Sequence, residues 1–314
     1  MNRTLAVIAS LALFATTAIA GDRARDRVTA SDPIGFKLEL QTSGSSFQLS
    51  LSMGKRSHMS THFDRGQLGL DATALDRSGP LRFALAREPG RLDCAGDTAR
   101  NIATGSCTFT PAAEFSRYLA SRGIGTPSFE ESFDLALTGA NKALVDALAD
   151  ANYPKPTIDQ LVALSALQAT PAYIADLSRQ GFRPDDLDDL IAFAALKIDA
   201  NYTGAMLRAG LGNITAKNLI EMKAVGVDPD FLAGLKHAGL REVTADEAVQ
   251  LRAIGVDPAY VREIIQLGYP DITADKLTEM RAVGVLPEDI RRARKAGIVD
   301  PSPDQIVQFR VLRR

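Results

Sequence analysis

The chain has 314 residues, 46% of them hydrophobic and 24% charged, with a net charge of −2 and no Trp. That balance excludes a disordered polyelectrolyte and lacks the basic excess on which nonspecific nucleic-acid binding depends. Its length implies two domains or one elongated array.

Residues 1–20 read as a secretory signal peptide. Arg3 supplies a positive start, Leu5 to Phe14 form an apolar run interrupted only by Ser10, and Ala18-Ile19-Ala20 gives the small-x-small cleavage pattern before Gly21. A transmembrane anchor would need ~20 apolar residues, and the stretch from Leu5 to Ile19 is shorter. No Cys follows the cleavage pattern to carry a lipid, and no later segment is apolar enough to span a membrane. The expected location is periplasmic or secreted, with no membrane span after signal cleavage.

Residues 21–110 are expected to form a β-rich domain. Phe36, Leu38 and Leu40 alternate with polar residues, a turn follows at Thr42-Ser43-Gly44-Ser45-Ser46, and Phe47, Leu49, Leu51 and Met53 alternate again. Leu81, Phe83 and Leu85 make a further strand, ended by Glu88-Pro89-Gly90-Arg91. Leu92 to Ala95 and Gly105 to Phe109 complete an antiparallel sheet of about five or six strands. Cys94 and Cys107, an even pair at short separation in a chain with an export signal, predict a disulfide worth ~3 kcal/mol. His58 and His62 have the i, i+4 spacing of a helical zinc site but lack its Glu, and their Ser/Thr surroundings favour strand or loop. No metal site is assigned there.

Residues 111–314 carry a strict period. Ser128, Thr157, Asp186, Thr215, Thr244, Thr273 and Ser302 are spaced 29 residues apart, and all are helix N-capping types. Twenty-four residues after the first six come Asn152, Gly181, Gly210, Gly239, Gly268 and Gly297, which end helices. Within the copy starting at Thr244, Glu247 completes a capping box and Gly255 ends the first helix; Asp257 and Pro258 then start a second, closed by Gly268. Ser128/Glu131, Thr157/Gln160 and Ser302/Gln305 repeat the box.

The apolar register runs through Leu161, Leu190, Leu219 and Leu277, and then through Leu167, Leu196, Val225, Ile254 and Val283 at the end of the first helix. Only stacking buries such a face continuously. The expected fold is α+β: a small antiparallel β-domain followed by an α-solenoid of 29-residue helix-turn-helix repeats. The solenoid divides into a half-repeat at 111–127, six repeats at 128–301 and a half-repeat cap at 302–314.

The third full unit departs from the pattern. Lys197 stands where later copies have Gly, Ala200 where they have Pro, and Gly204 weakens the second helix. This marks drift or, if a partner docks on the array, a contact surface around Lys197, Ala200 and Gly204. Charge is uneven too: residues 111–272 hold 22 acidic and 14 basic side chains, residues 273–314 hold 6 and 9. Val225-Gly226-Val227-Asp228-Pro229 superficially matches a DNA-binding hairpin, but Asp228, Asp257 and Asp199 put carboxylates where phosphate would sit.

The segment Leu81 to Cys94, the run Thr104-Gly105-Ser106-Cys107-Thr108-Phe109-Thr110-Pro111 and the ITADxLxxMRAVGV-type repeats together resemble a bacterial extracytoplasmic family. That family joins this β-module to short helical repeats, and similar tracts occur beside or fused to membrane metallopeptidases of the β-lactam-sensor type. The resemblance covers roughly residues 80–314. It implies an envelope sensing or interaction role and transfers no catalytic residue. Cys107 departs from the family's glycine-rich pattern at that position.

No Ser/His/Asp set, zinc signature or phosphate loop is present, so no catalytic, cofactor-binding or metal-binding residue is assigned. The expected function is non-catalytic recognition of a protein or peptide of the cell envelope, possible support of a sensor included, with no nucleic-acid partner. The alternatives are a structural spacer and an enzyme whose dispersed site leaves no motif.

Overall fold

The computed structural model describes residues 33–41, 46–53, 57–71, 73–211 and 214–312. Residues 1–20, where a signal peptide is expected, most of the expected turn at 42–46, and Arg313 and Arg314 lie outside them.

Period-two alternation builds one curled, antiparallel six-stranded sheet: β1 (Ile34–Leu40), β2 (Ser46–Met53), β3 (Ser57–Asp64), β4 (Gly79–Arg87), β5 (Gly90–Ala99) and β6 (Ile102–Pro111). The spatial order is β3-β2-β1-β6-β5-β4, two three-stranded meanders joined where β1 pairs with β6. The His58–His62 stretch is strand β3, as its Ser/Thr content suggested. β5 and β6 extend past the expected limits at Ala95 and Gly105, because Arg100 and Asn101 both adopt positive φ (53° and 64°) and close a two-residue hairpin. That conformation matches the twist of the flanking strands. Cys94 and Cys107 face each other across this ladder and form the expected disulfide.

From Ala113 to Val311 the described residues form fourteen short helices in two layers. One layer is α2 (Phe129–Thr138), α4 (Ile158–Ala166), α6 (Leu187–Ala195), α8 (Ala216–Val225), α10 (Ala245–Ala253), α12 (Ala274–Ala282) and α14 (Pro303–Val311). The other is α1 (Ala113–Ser121), α3 (Lys142–Asp150), α5 (Pro171–Arg179), α7 (Ala200–Arg208), α9 (Pro229–Ala238), α11 (Pro258–Gln266) and α13 (Pro287–Lys295). Helices touch their counterparts one unit away, α4 on α6 and α5 on α7, which is the connectivity of a solenoid. Each helix is about 15 Å long, too short to be stable alone.

All seven predicted N-caps accept a hydrogen bond from the third residue of their helix. Thr215 and Asn218 add a capping box that the Glu/Gln rule misses. The register Leu161, Leu190, Leu219, Leu277 is fully buried, with Ala248 taking the same place in its unit.

The second expected register is displaced. Leu167 is 36% exposed, and Leu196, Val225, Ile254 and Val283 are only half-buried. The buried series lies two residues later, at Ala169, Ile198, Val227, Val256 and Val285. The residue between is left-handed in every unit, whether glycine (Gly226, Gly255, Gly284) or not (Gln168, Lys197), and it turns the next side chain back into the core. The N–H of that next residue then donates to the carbonyl five positions earlier, as Val227 does to Met222 (2.8 Å) and Val256 to Leu251 (2.9 Å). This is the Schellman closure, repeated through the array. Its carbonyl is used as well: the hydroxyls of Tyr173, Tyr202 and Tyr260 donate to Ile198, Val227 and Val285 of the following unit, at 2.7, 2.8 and 3.1 Å.

Because contacts are made between like helices one period apart, deleting residues 244–272 is expected to preserve helicity and leave a cooperative melt by circular dichroism. Deleting only 244–257 removes α10 and joins α9 to α11, two helices of one layer, and should cost far more stability. Equal damage from the two deletions would refute the 29-residue structural unit.

Candidate functional site

Helix α2 ends between two consecutive residues of the β4–β5 turn. Arg87 Nη1 donates to the carbonyls of Ala136 (3.2 Å) and Leu137 (3.0 Å) at the C-terminus of α2, while Glu88 accepts from the N–H of Lys142 (2.9 Å) at the start of α3. A cation thus meets a helix C-terminus and an anion a helix N-terminus, each the sign that the helix dipole favours. Burial lowers the Arg87 pKa, and its guanidinium also lies over the Phe63 ring, 5.4 Å from the centroid. Gly139 makes the approach possible: it has φ 82°, and a Cβ there would lie 2.5 Å from Arg87 Nη1. On its other face α2 sends Phe133, Ala136 and Leu137 into the β-domain core, where Phe133 meets Phe109 edge-on at 5.2 Å.

This junction encloses a cleft of about 680 Å³. One side is the outer edge of the sheet, since β3 is hydrogen-bonded to β2 alone among the described strands. The floor is Arg87 and Leu137, and the far wall is Val162, Ser165 and Ala166 of α4. His62, Asp64 and Gln67 stand exposed along the rim. Ser165, which lines the cleft, stands at the register that later carries Lys223, Arg252 and Arg281. The Ser165 hydroxyl is enclosed and has no hydrogen-bond partner among the described residues.

The cleft therefore combines unpaired main-chain groups of a strand edge, an apolar wall and polar tips at the rim. That combination suits an extended polypeptide, which pairs through its backbone and is read by alternate side chains. It does not make a nucleophile–base pair of Ser60 and His62, because Ser60 Oγ accepts from Gln48 Nε2 (2.9 Å) and lies 3.2 Å from Ser50 Oγ. The edge position of β3 was not legible in the sequence, since edges are defined by pairing order; its Ser/Thr-rich composition was the available signal.

The three residues singled out in the third unit do not form one exposed patch. Lys197 is exposed and left-handed (φ 55°), a conformation shared by Gln168 one unit earlier. Ala200 is half-buried in the first turn of α7. Gly204 is buried, and a Cβ there would lie 2.9 Å from Gln180 Oε1.

Set against known proteins, the chain matches no family model and no curated sequence. No helix of the described residues is long and apolar enough to cross a membrane.

Two measurements test the junction. Arg87→Met keeps the stem but removes the donor to two helix-terminal carbonyls, and is expected to lower unfolding free energy by roughly 2 kcal/mol in urea titrations. No change would mean that the clamp contributes nothing. On α2, burial first, then Glu130, Asp159 and Glu131, push the Asp134 carboxyl from its ordinary 3.8 to about 6. A raised carboxyl pKa favours the neutral form in the fold, so this contribution is complete below about pH 4 and is lost as pH rises through about 6. Asp134→Asn should flatten the fall in stability over that window and raise stability at pH 7 by about 1–2 kcal/mol, discounted for partial exposure. An unaltered pH slope would remove Asp134 as its source.

Proposed function

We propose that the chain is a non-catalytic recognition protein of the cell envelope, which binds an extended peptide segment by adding it as a strand to the open edge of β3. The observation that carries this reading is the cleft between that edge and α4, with main-chain groups on one side and a shallow apolar wall on the other. Strand addition draws affinity from backbone hydrogen bonds, so it needs no deep pocket and tolerates varied sequences. The placement outside the cytoplasm rests on the leader-like residues 1–20 and on the Cys94–Cys107 disulfide, which suits an oxidising compartment. The resemblance to envelope proteins with a β-module and helical repeats agrees with it.

Ala166 is exposed at the end of α4 and lines the cleft, so Ala166→Arg places a long side chain in it without altering any residue of the sheet. Stability should change by no more than about 0.5 kcal/mol, as for most surface substitutions. Short peptides selected from a displayed random library on the wild-type protein are expected to protect the amides of residues 57–64 from hydrogen exchange. They should bind Ala166→Arg about tenfold more weakly, a loss of ~1.4 kcal/mol. Failure to recover any peptide would overturn the proposal in favour of a structural spacer. Peptides that protect only helices would also overturn it.

A further inference from the structure

The last interface of the array breaks a side-chain register that the earlier units keep. The third residue after the cap of the second helix is Leu144 in the first full unit and then Tyr173, Tyr202, Phe231 and Tyr260 in the next four, where the ring packs against the core of the array. A cation 21 residues later lies over three of these rings: Lys223 on Tyr202 (4.2 Å), Arg252 on Phe231 (5.0 Å) and Arg281 on Tyr260 (5.2 Å). In the final unit the ring position is Asp289, and the cation 21 residues on is Arg310.

Replacing a ring by a short carboxylate opens a cleft of about 600 Å³, lined by Asp289, Arg292, Lys295, Ala296 and Arg310. Asp289 is only 4% exposed, and its Oδ2 accepts from the N–H of Leu286 (2.9 Å). Its Oδ1 lies 3.7 Å from the nearest guanidinium nitrogen of both Arg292 and Arg310. Those separations are ion pairs but exceed hydrogen-bonding distance, so the guanidinium donors are not consumed. Lys295 makes no ion pair among the described residues. Three cations around one carboxylate leave the cleft with a net formal charge of +2. The carboxylate also satisfies the N–H at the cap of α13, where the cap residue Leu286 has no polar side chain, so it stays buried and charged at a register that elsewhere holds a ring.

The structure assigns this cleft as a binding site for a phosphate group, with Arg292, Lys295 and Arg310 as donors and Asp289 holding the two arginines toward its mouth. The charge complements the anion, about −1.5 to −2 on inorganic phosphate and about −1 on a lipid phosphodiester, and guanidinium forks match its oxygens. The group can arrive as free phosphate or on a lipid headgroup, and the experiment separates the two.

The test is calorimetric titration with inorganic phosphate at fixed ionic strength, alongside sedimentation with phosphatidylcholine vesicles with and without phosphatidylglycerol. The expected result is saturable binding to phosphate or to the anionic vesicles, weakened about tenfold or more by Arg310→Gln. Asp289→Tyr places the ring of the earlier units in the cleft and should abolish binding while circular dichroism shows the helices retained. That variant makes the protein more positive, so nonspecific attraction would strengthen where the assigned site is lost. Binding that survives Asp289→Tyr would overturn the assignment, as would absence of saturation with both probes.

Discussion

The architecture depends on α2 belonging to two cores at once. Phe133, Ala136 and Leu137 complete the sheet's interior, while Leu135 of the same helix belongs to the continuous core of the array with Phe115 and Leu119 of α1. A nine- or ten-residue helix cannot hold itself together in water, so neither side can release α2 without exposing apolar surface. Arg87 and Glu88 then fix its end, and the start of α3, with charges matched to the helix dipoles. The β-domain and the repeats therefore meet at a clamped junction, and the cleft beside β3 takes its shape from that junction.

Beyond α2 the fold propagates by one rule. Each first helix ends in a left-handed residue, the chain reverses, and the next apolar residue returns to the core; at Ile198, Val227 and Val285 its carbonyl also receives a tyrosine hydroxyl from the preceding unit. Positive φ suits glycine, yet Gln168 and Lys197 adopt it too, because the Schellman bond and the burial of Ala169 or Ile198 offset a local cost of about 1–2 kcal/mol. This is why Lys197 leaves the geometry of the third unit intact. The informative departures are instead those that change what fills the space between units: Ser165 near the β-domain and Asp289 at the far end. In the first, a small residue stands in the wall that faces a strand edge; in the second, a carboxylate in place of a ring stands in a cationic cleft.

The repeat was readable because capping is a local affair. An N-cap and its partner lie three residues apart, so Thr244 and Glu247, or Ser302 and Gln305, declare the helix start without knowledge of the fold. The β-strands were readable for a similar reason, since alternation at Phe47, Leu49, Leu51 and Met53 reports one buried face. The misplaced register from Leu167 to Val283 shows where this fails. Extrapolating helical periodicity past the last turn assigns burial to a residue already leaving the helix, whereas the left-handed turn delivers the residue two places on. The hairpin at Arg100-Asn101 was missed because neither residue is the glycine that usually marks two positive φ values in succession.

The candidate sites were not legible in this way. His58 and His62 drew notice by spacing, and Lys197, Ala200 and Gly204 by irregularity, but the cleft beside β3 joins residues 46–67 to residues 137–168 through a strand order and a docking angle that no local pattern encodes. By itself the sequence determined the 29-residue unit, its caps, the alternation of the strands and the paired cysteines, since each rests on interactions within a few residues or on a repeat count. Only the tertiary structure decided which strand is left with an unpaired edge, that α2 serves two cores, and that an Asp at an aromatic register faces three cations. Those outcomes depend on packing between segments far apart in the chain, where the energy lies in contacts that composition and periodicity do not specify.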